Sequence, residues 1–190
     1  NGTPIDYPGT NNSAWESNTR GAYAWYNNNI SWKESYGALY NWHAVDNTSG
    51  LCPIGWHVPS YEEWTQLIDY TVNQGYSNNW NDPNGAGNAL KSCRQVNSPL
   101  GGDCATTEHP RWNEHTTHHG FDVFAFSAVS GGDRYTNGSY NNIGIYGSWW
   151  NSTEYSSTGA WYRYIDCGSG GVYGYAVLKE SGFSVRCLKD

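Results

Sequence analysis

The stretch "GLCPIGWHVPSYEEW" (residues 50–64) contains a cysteine, a histidine and two adjacent glutamates, so it is either a reactive cluster or a structural element. Ser60 followed by Glu63 matches a capping box, in which the serine caps a helical amide and the glutamate accepts from the serine amide. Glu62 and Glu63 also fall in the first turn, where the helix dipole favours negative charge. The stretch therefore predicts a helix over about 60–73, with a structural role for both glutamates.

The residues that follow support this helix. Apolar side chains recur there at helical spacing and predict one buried stripe, formed by Trp64, Leu67, Ile68 and Val72. His57 lies between Trp56 and Val58, and we interpret it as a packed, hydrogen-bonded histidine rather than a metal ligand.

No linker or low-complexity stretch interrupts the chain, which predicts a single domain over 1–190. "YGALYNWHAV" (36–45) indicates a strand or a short buried helix, and "FDVFAFSAV" (121–129) indicates a strand. Beyond residue 134, short apolar and aromatic runs alternate with Gly and Asn turns. The order predicts an α+β fold, with a helix-bearing N-terminal half and an antiparallel β C-terminal half carrying long ordered loops.

Composition excludes several classes of partner. The net charge is −7 and no basic run occurs, which argues against binding to nucleic acid or an anionic membrane. No stretch approaches the roughly 20 apolar residues that span a bilayer, so we expect no membrane insertion. The chain begins with Asn1 and contains no Met, which indicates a processed product or a domain excised from a longer secreted protein.

The five cysteines form no CxxC pair, which argues against a zinc ribbon or a redox motif. A Cys93–Cys104 bridge would close the loop "CRQVNSPLGGDC", and Cys52 could pair with Cys187. Cys167 is then left over, either as a buried thiol, which we favour, or as an intermolecular link.

The sequence offers two candidate chemical sites, a metal site and a hydrolase site. His115, His118 and His119 lie near His109, Glu108 and Glu114, a composition that can hold zinc, although the Thr-Thr pair and Gly120 favour a polar loop. Glycoside hydrolysis needs two nearby carboxylates, and spacing alone cannot pair Glu154, Asp133 and Asp166. No nucleophile elbow is present. We therefore expect a protein that is not an enzyme.

Aromatic residues dominate the C-terminal half of a chain with 11 Trp and 16 Tyr. Because alternate strand residues point to opposite faces, "AWYRYI" cannot bury all its rings on one side. Exposed rings beside Asn, Asp and Ser suit a sugar or a protein partner. The alternative is that the rings only fill an aliphatic-poor core.

The ordered set "YGALYNWHAV", "GLCPIGWHVPSYEEW", "LKSC", "HPRW", "FSAVSGG", "GSWWNSTE", "AWYRYI" and "GFSVRCLKD" resembles the Fibrobacter succinogenes major paralogous domain, from about residue 20 to the end. That family is similar to C-type lectin-like domains and to formylglycine-generating-enzyme relatives. Its members are bacterial and mostly exported, and no general catalytic activity is established for them.

The resemblance implies a C-type lectin-like fold with paired chain ends and a Cys52–Cys187 bridge. It also places the binding face in the segment that relatives diversify, for which we select Tyr146, Trp149, Glu154, Tyr155, Trp161, Tyr162, Tyr164 and Tyr173. Ala24, where members often have cysteine, and Cys167 depart from the family pattern.

Calcium is a further expectation, because many C-type lectins bind it through Asn, Asp and Glu oxygens. The loop "NNWNDPNGAGN" (78–88) supplies such groups at Asn81, Asp82 and Asn84, although its Pro and Gly also explain it as a turn.

We expect a non-catalytic, secreted or cell-surface bacterial recognition domain that binds a carbohydrate or a surface protein. The alternative is a self-associating structural subunit of an extracellular filament or adhesin assembly.

Overall fold

The structure is a computed structural model that describes residues 4–92, 112–113 and 115–190. Short helices occupy its first half: α1 (Asn12–Glu16), α2 (Lys33–Tyr36), α3 (Trp42–Val45), α4 (Tyr61–Asn73) and α5 (Ala86–Leu90). The strands are β1 (Tyr23–Ala24), β2 (Leu39–Tyr40), β3 (Trp56–His57), β4 (Gly131–Arg134), β5 (Tyr140–Ile143), β6 (Tyr146–Glu154), β7 (Gly159–Asp166), β8 (Val172–Leu178) and β9 (Leu188–Lys189). Helices therefore precede a β-rich half, as the sequence predicts.

The predicted helix after residue 60 is confirmed, together with its capping box. Ser60 Oγ accepts from the Glu63 amide at 3.2 Å, and Glu63 Oε2 accepts from the Ser60 amide at 2.8 Å. Trp64 and Ile68 are buried on the predicted stripe. Val72 is 42% exposed and Thr71 is buried in its place, so the last predicted stripe position is wrong.

The largest sheet of the described residues has five strands in the order β5-β4-β6-β7-β8. Its pairs are antiparallel except β4 with β6, which run parallel and meet at Gly132 and Gly147. The prediction of a wholly antiparallel half is therefore wrong at this pair. A Cβ at Gly147 would lie 2.5 Å from the Val129 carbonyl oxygen, so glycine permits this close approach.

Strand register divides the side chains of this sheet between two faces, because residues opposite one another in a ladder share a face. Tyr164 lies opposite Ser148 and Tyr173, and Tyr162 lies opposite Trp150 and Tyr175. These residues form the tyrosine face. The residues between them, such as Trp149 and Ile165, point to the other face, which we call the helix face.

Separate apolar clusters cover parts of the two faces. The first core lies on the helix face and joins it to α4 and α5; its buried members are Trp64, Ile68, Ala86, Leu90, Trp112, Ala128, Trp149, Ile165 and Val172. The second core covers part of the tyrosine face, with Trp42, Val45, Val58, Trp150, Ala160 and Phe183. Arg163 fastens α4 to the sheet, since its guanidinium donates to Thr65 Oγ1 at 2.7 Å and lies 4.1 Å from the Tyr61 ring centroid.

The end of the chain returns to the segment before α4. Strand β9 pairs with β3 antiparallel, and the Cys52–Cys187 disulfide, with Cα atoms 5.8 Å apart, confirms the pairing that the resemblance implies. The proposed Cys93–Cys104 bridge lies outside the described residues. Cys167 is a partly buried free thiol packed against the first core, where burial raises its pKa.

Two local predictions are resolved by the backbone. Residues 36–45 contain both proposed elements, β2 followed by α3. Residues 121–129 are not a strand: Asp122, Ala125 and Ser127 have positive φ, and Ala128 makes one bridge to Lys91. In the part of the chain that the structure describes, no helix has the length and apolar character to cross a membrane.

Candidate functional site

A cavity of about 280 Å³ opens on the tyrosine face beside the second core. We call it the tyrosine cavity. Most residues that line it belong to strands of the five-stranded sheet, and more than half are aromatic. The lining residues are Asp133, Tyr135, Asn142, Tyr146, Ser148, Tyr162, Tyr164, Tyr175, Val177, Ser181 and Phe183.

The rings of the cavity support one another. Tyr164 has three tyrosine neighbours there, with centroids 5.6 Å from Tyr146, 6.0 Å from Tyr162 and 6.1 Å from Tyr175. Tyr162 also stacks on Phe183 at 4.5 Å, which anchors the group to the second core. Such contacts hold aromatic side chains in fixed orientations before any ligand arrives.

The phenols of Tyr146, Tyr162 and Tyr164 stay protonated at neutral pH. Burial raises the pKa of Tyr162 and of Tyr164 to about 12, and burial also raises the pKa of Tyr146. A protonated phenol supplies a hydrogen-bond donor as well as an aromatic face. The cavity can therefore offer both stacking surfaces and hydroxyl groups to a ligand.

Asp133 reaches the cavity through two unusual backbone positions. Gly132 has φ +68°, and a Cβ there would lie 2.4 Å from the Asn141 carbonyl oxygen. Asn142 also has positive φ, which asparagine tolerates better than most residues. Its side-chain amide donates to Asp133 Oδ2 at 2.6 Å. The Gly-Gly-Asp start of β4 and the Asn-Asn pair of β5 together position this carboxylate.

The carboxylate of Asp133 is poorly compensated. The residue is 4% exposed, and Oδ1 has no hydrogen-bond partner among the described residues. Burial raises its pKa to about 6, against a lowering effect of the Asn142 hydrogen bond. Asp133 is therefore ionised above pH 6 in a setting that disfavours its charge.

Three of the predicted site residues meet at this cavity, namely Tyr146, Tyr162 and Tyr164. Tyr173 lies on the same sheet face, and its ring is 5.6 Å from Tyr164 and 5.2 Å from Trp80, but it does not line the cavity.

Trp149 does not line the tyrosine cavity. It is 3% exposed in the first core, 6.0 Å from Trp64 between ring centroids, because odd positions of β6 point to the helix face. Trp161 also points to the helix face, where its ring packs between Tyr61 at 5.0 Å and Tyr155 at 5.1 Å. The predicted set is thus divided by the sheet itself.

The remaining predicted residues lie at the β6–β7 hairpin. Tyr155 is 62% exposed and borders a shallow depression with Ser156 and Thr158. Glu154 accepts from the Lys179 ammonium in an ion pair. Neither side chain lines the tyrosine cavity.

The residues selected from the sequence leave out Tyr135, Asn142 and Tyr175, which line the cavity, and Asp133 was considered only as one carboxylate of a hydrolase. Period-two alternation carries the signal for Tyr175, since Tyr173 and Tyr175 share a face. Tyr135 directly follows β4 and Asn142 lies in β5, and only the sheet order brings them to the cavity.

The family model for the Fibrobacter succinogenes major domain matches residues 1–189. The chain belongs to this family. No curated protein and no solved structure matches the chain.

Several motifs that characterise this Fibrobacter succinogenes major domain meet in space. The half-cystines of "LCP" and "VRC" are bonded, and Phe183 of "GFSVRC" packs on Trp150 of "GSWW" at 4.7 Å. "FSAVSGG" leads into β4 and so to Asp133. The family motifs therefore build the scaffold around the cavity.

The loop proposed for calcium has a structural explanation in this member of the family. Asp82 Oδ2 accepts from Ser77 Oγ at 2.5 Å, and Oδ1 accepts from the Asn84 amide at 2.9 Å. These hydrogen bonds lower the pKa of Asp82. Among the described residues no group of three or more His, Cys, Asp or Glu side chains is placed to hold a metal ion. Calcium binding through Asn81, Asp82 and Asn84 stays a prediction.

The histidine-rich segment is only partly described. The rings of His115 and His118 are 4.8 Å apart, and His118 Nδ1 lies 3.2 Å from Asn88 Nδ2. His109, Glu108 and Glu114 lie outside the described residues. The segment packs beside the buried Lys91, whose ammonium donates to Asn88 Oδ1 at 2.9 Å.

Proposed function

We propose that this chain is a non-catalytic recognition domain that binds a carbohydrate in the tyrosine cavity. The observation that best supports carbohydrate binding is a preorganised group of tyrosine rings that lines one cavity of about 280 Å³ together with a carboxylate and an amide. Rings stack on the apolar face of a sugar, while Asp133, Asn142 and Ser148 bind hydroxyl groups. The opening is near the lower limit of about 300 Å³ for small-molecule sites, which suits a single sugar unit.

Binding is favoured over hydrolysis by the number of carboxylates. Glycoside hydrolases generally place two carboxylates across the scissile bond. Among the described residues only Asp133 contributes a carboxylate to the lining, since Glu154 pairs with Lys179 elsewhere.

The proposal extends to location and fold relationship. A secreted or cell-surface bacterial protein is supported by the Cys52–Cys187 disulfide, because such bonds persist in oxidising compartments. A C-type lectin-like relationship is supported by the helix-then-sheet order and by a chain end that returns to the segment before α4.

The experiment is a glycan-array and insoluble-polysaccharide pull-down with purified protein, in calcium and again in chelator. Retention by a glycan supports the proposal, and retention that depends on calcium directs attention to residues 78–88. A folded protein that binds no glycan in either condition overturns it.

Matched variants locate the site. Tyr175→Ala removes a ring that is 59% exposed at the cavity and is expected to weaken glycan binding more than tenfold. Trp161→Ala removes a ring on the helix face and is expected to leave binding unchanged. The reverse pattern would move the site to the Tyr155–Trp161 side.

A structural subunit of a filament or adhesin is the second candidate. Apolar side chains are exposed along the β3–β9 pair, with Ile54 fully exposed, Trp56 44% exposed and Leu188 42% exposed. Concentration-dependent association in sedimentation velocity, abolished by Ile54→Ser, would support it. A monomer at all concentrations would exclude it.

A further inference from the structure

Asp133 carries a charge that no described side chain neutralises. No ion pair involves it within the described residues, and Oδ1 has no hydrogen-bond partner there. A buried carboxylate left without a cation destabilises the folded protein. Retaining one at the wall of an open cavity therefore indicates a partner that arrives with the ligand.

The neighbouring arginine does not supply that charge. Arg134 follows Asp133 in β4 and so points to the opposite side of the strand. Its guanidinium donates to the Gly9 and Gly138 carbonyl oxygens and to Asn12 Oδ1, each at 3.1 Å. It also lies 4.3 Å from the Trp15 ring centroid. The Arg134 guanidinium therefore binds the N-terminal segment and does not pair with Asp133.

The rest of the cavity favours a cation as well. Its described lining contains five tyrosines and no Lys, Arg or His. Tyrosine rings attract ammonium groups through their negative faces, within about 6 Å of the centroid. Aromatic walls combined with a carboxylate are the usual chemistry of ammonium recognition.

We infer that the tyrosine cavity binds an ammonium group, held by Asp133 and the surrounding tyrosine rings. Resting on the proposed carbohydrate function, the ligand class is an amino sugar with a free amine, such as a glucosamine unit. The free amine is protonated and pairs with Asp133, whereas N-acetylation removes both the charge and the ion pair. Asn142, Ser148 and Ser181 remain for the sugar hydroxyls.

The test is calorimetric titration at pH 7 with three tetrasaccharides, namely the tetramers of glucosamine, N-acetylglucosamine and glucose. They differ only in the group at C2 of each sugar unit, which is an amine, an acetamide or a hydroxyl. We expect the glucosamine tetramer to bind at least tenfold more tightly than the other two. Equal affinity for all three, or preference for the acetylated form, would overturn the amine assignment while leaving carbohydrate binding in place.

Two variants that each remove one negative charge test whether the preference for glucosamine depends on Asp133. Asp133→Asn is expected to lose at least tenfold in affinity for the glucosamine tetramer but less than about threefold for the glucose tetramer, because the amide still hydrogen-bonds a hydroxyl group and loses only the charge. Asp69→Asn removes the same charge from the exposed side of α4 and is expected to change neither. Unchanged glucosamine binding by Asp133→Asn would overturn the inference. Circular dichroism of each variant shows that it is folded.

A simple amine separates the two proposals. If no tetrasaccharide binds, n-butylammonium is titrated into the parent protein and into Asp133→Asn. Binding that requires Asp133 supports the ammonium site and overturns the carbohydrate function. No binding of n-butylammonium or of any sugar overturns both.

Discussion

The imidazole of His57 and the carboxylate of Glu63 are joined at 2.9 Å between Nε2 and Oε1, while Glu63 Oε2 caps α4 at the Ser60 amide. The other imidazole nitrogen, Nδ1, lies 2.5 Å from Asp190 Oδ1. One histidine thus links the start of a helix to the last residue of the chain. The cluster in residues 50–64 is an anchor for the C-terminus.

This link predicts a pH-dependent contribution to stability. Hydrogen bonds that the imidazole donates to the Asp190 and Glu63 carboxylates raise the pKa of His57. A raised pKa stabilises the fold fully below the unfolded value of about 6.5, and the contribution is lost as the pH rises through the folded-state pKa. His57→Gln should therefore lower the Tm more at pH 5.5 than at pH 8.5 in thermal unfolding.

The cap supplies the control for that experiment. Ser60→Ala should cost about 1 kcal/mol at both pH values, because the lost hydroxyl does not titrate. If the stability loss in His57→Gln were as independent of pH as the loss in Ser60→Ala, the ion pairs of His57 with Glu63 and Asp190 would not contribute to stability.

The disulfide should show a non-additive effect. Its cysteines are 135 residues apart, and closing so long a loop restricts the unfolded chain. Cys52→Ala and Cys187→Ala should each lower the free energy of unfolding by about 3–5 kcal/mol in urea, and the double variant by about the same amount. A double variant that loses twice as much would argue against the bond. Cys167→Ala should lose less than about 2 kcal/mol.

The division of the rings between the two faces predicts opposite outcomes for two aromatic substitutions. Trp149→Ala removes a ring from the first core and should lower the free energy of unfolding by about 3–5 kcal/mol. Tyr175→Ala removes a mostly exposed ring and should cost less than about 1 kcal/mol. Denaturant unfolding followed by circular dichroism measures both. Comparable losses would mean that the faces are wrongly assigned.

Asp133 should make the domain less stable than its amide variant at neutral pH. The folded-state pKa of about 6 lies above the ordinary value of 3.8, so the folded protein holds a proton that the unfolded chain releases. The free energy of unfolding falls as pH rises between these values, by up to about 3 kcal/mol. Asp133→Asn should be the more stable protein at pH 8.

That advantage should shrink as the pH is lowered, and it should disappear near pH 3.5, where the carboxyl is protonated in both states. Urea unfolding at pH 8, 6 and 3.5 gives the comparison. An equally large advantage at all three values would mean that packing, not charge, separates the two proteins.

Local signals in the sequence were sufficient for α4. Ser60 and Glu63 lie three residues apart, and the capping box needs only that spacing. Period-two alternation likewise indicated that "AWYRYI" divides its rings between two faces. It did not indicate which rings face the helices, so the selected set includes Trp149 and Trp161, whose side chains lie on the helix face.

Residues 121–129 show where local pattern failed. Their alternation predicts a strand, yet Asp122 Oδ1 accepts from the Ser127 amide at 2.7 Å and the backbone turns through positive φ. The side-chain hydrogen bond and the packing of Phe126 against Trp64 outweigh strand propensity here.

The sequence by itself determined the helix start, the order of helices before strands, the ring-rich strands and the membership of the family, because each depends on neighbouring residues or on ordered motifs. Only the tertiary structure decided which tyrosines share a cavity and that Asp133 joins them. That choice depends on strand order and register, which place β4 between β5 and β6. Strand alternation is the same whichever strands pair, so spacing along the sequence does not encode this order.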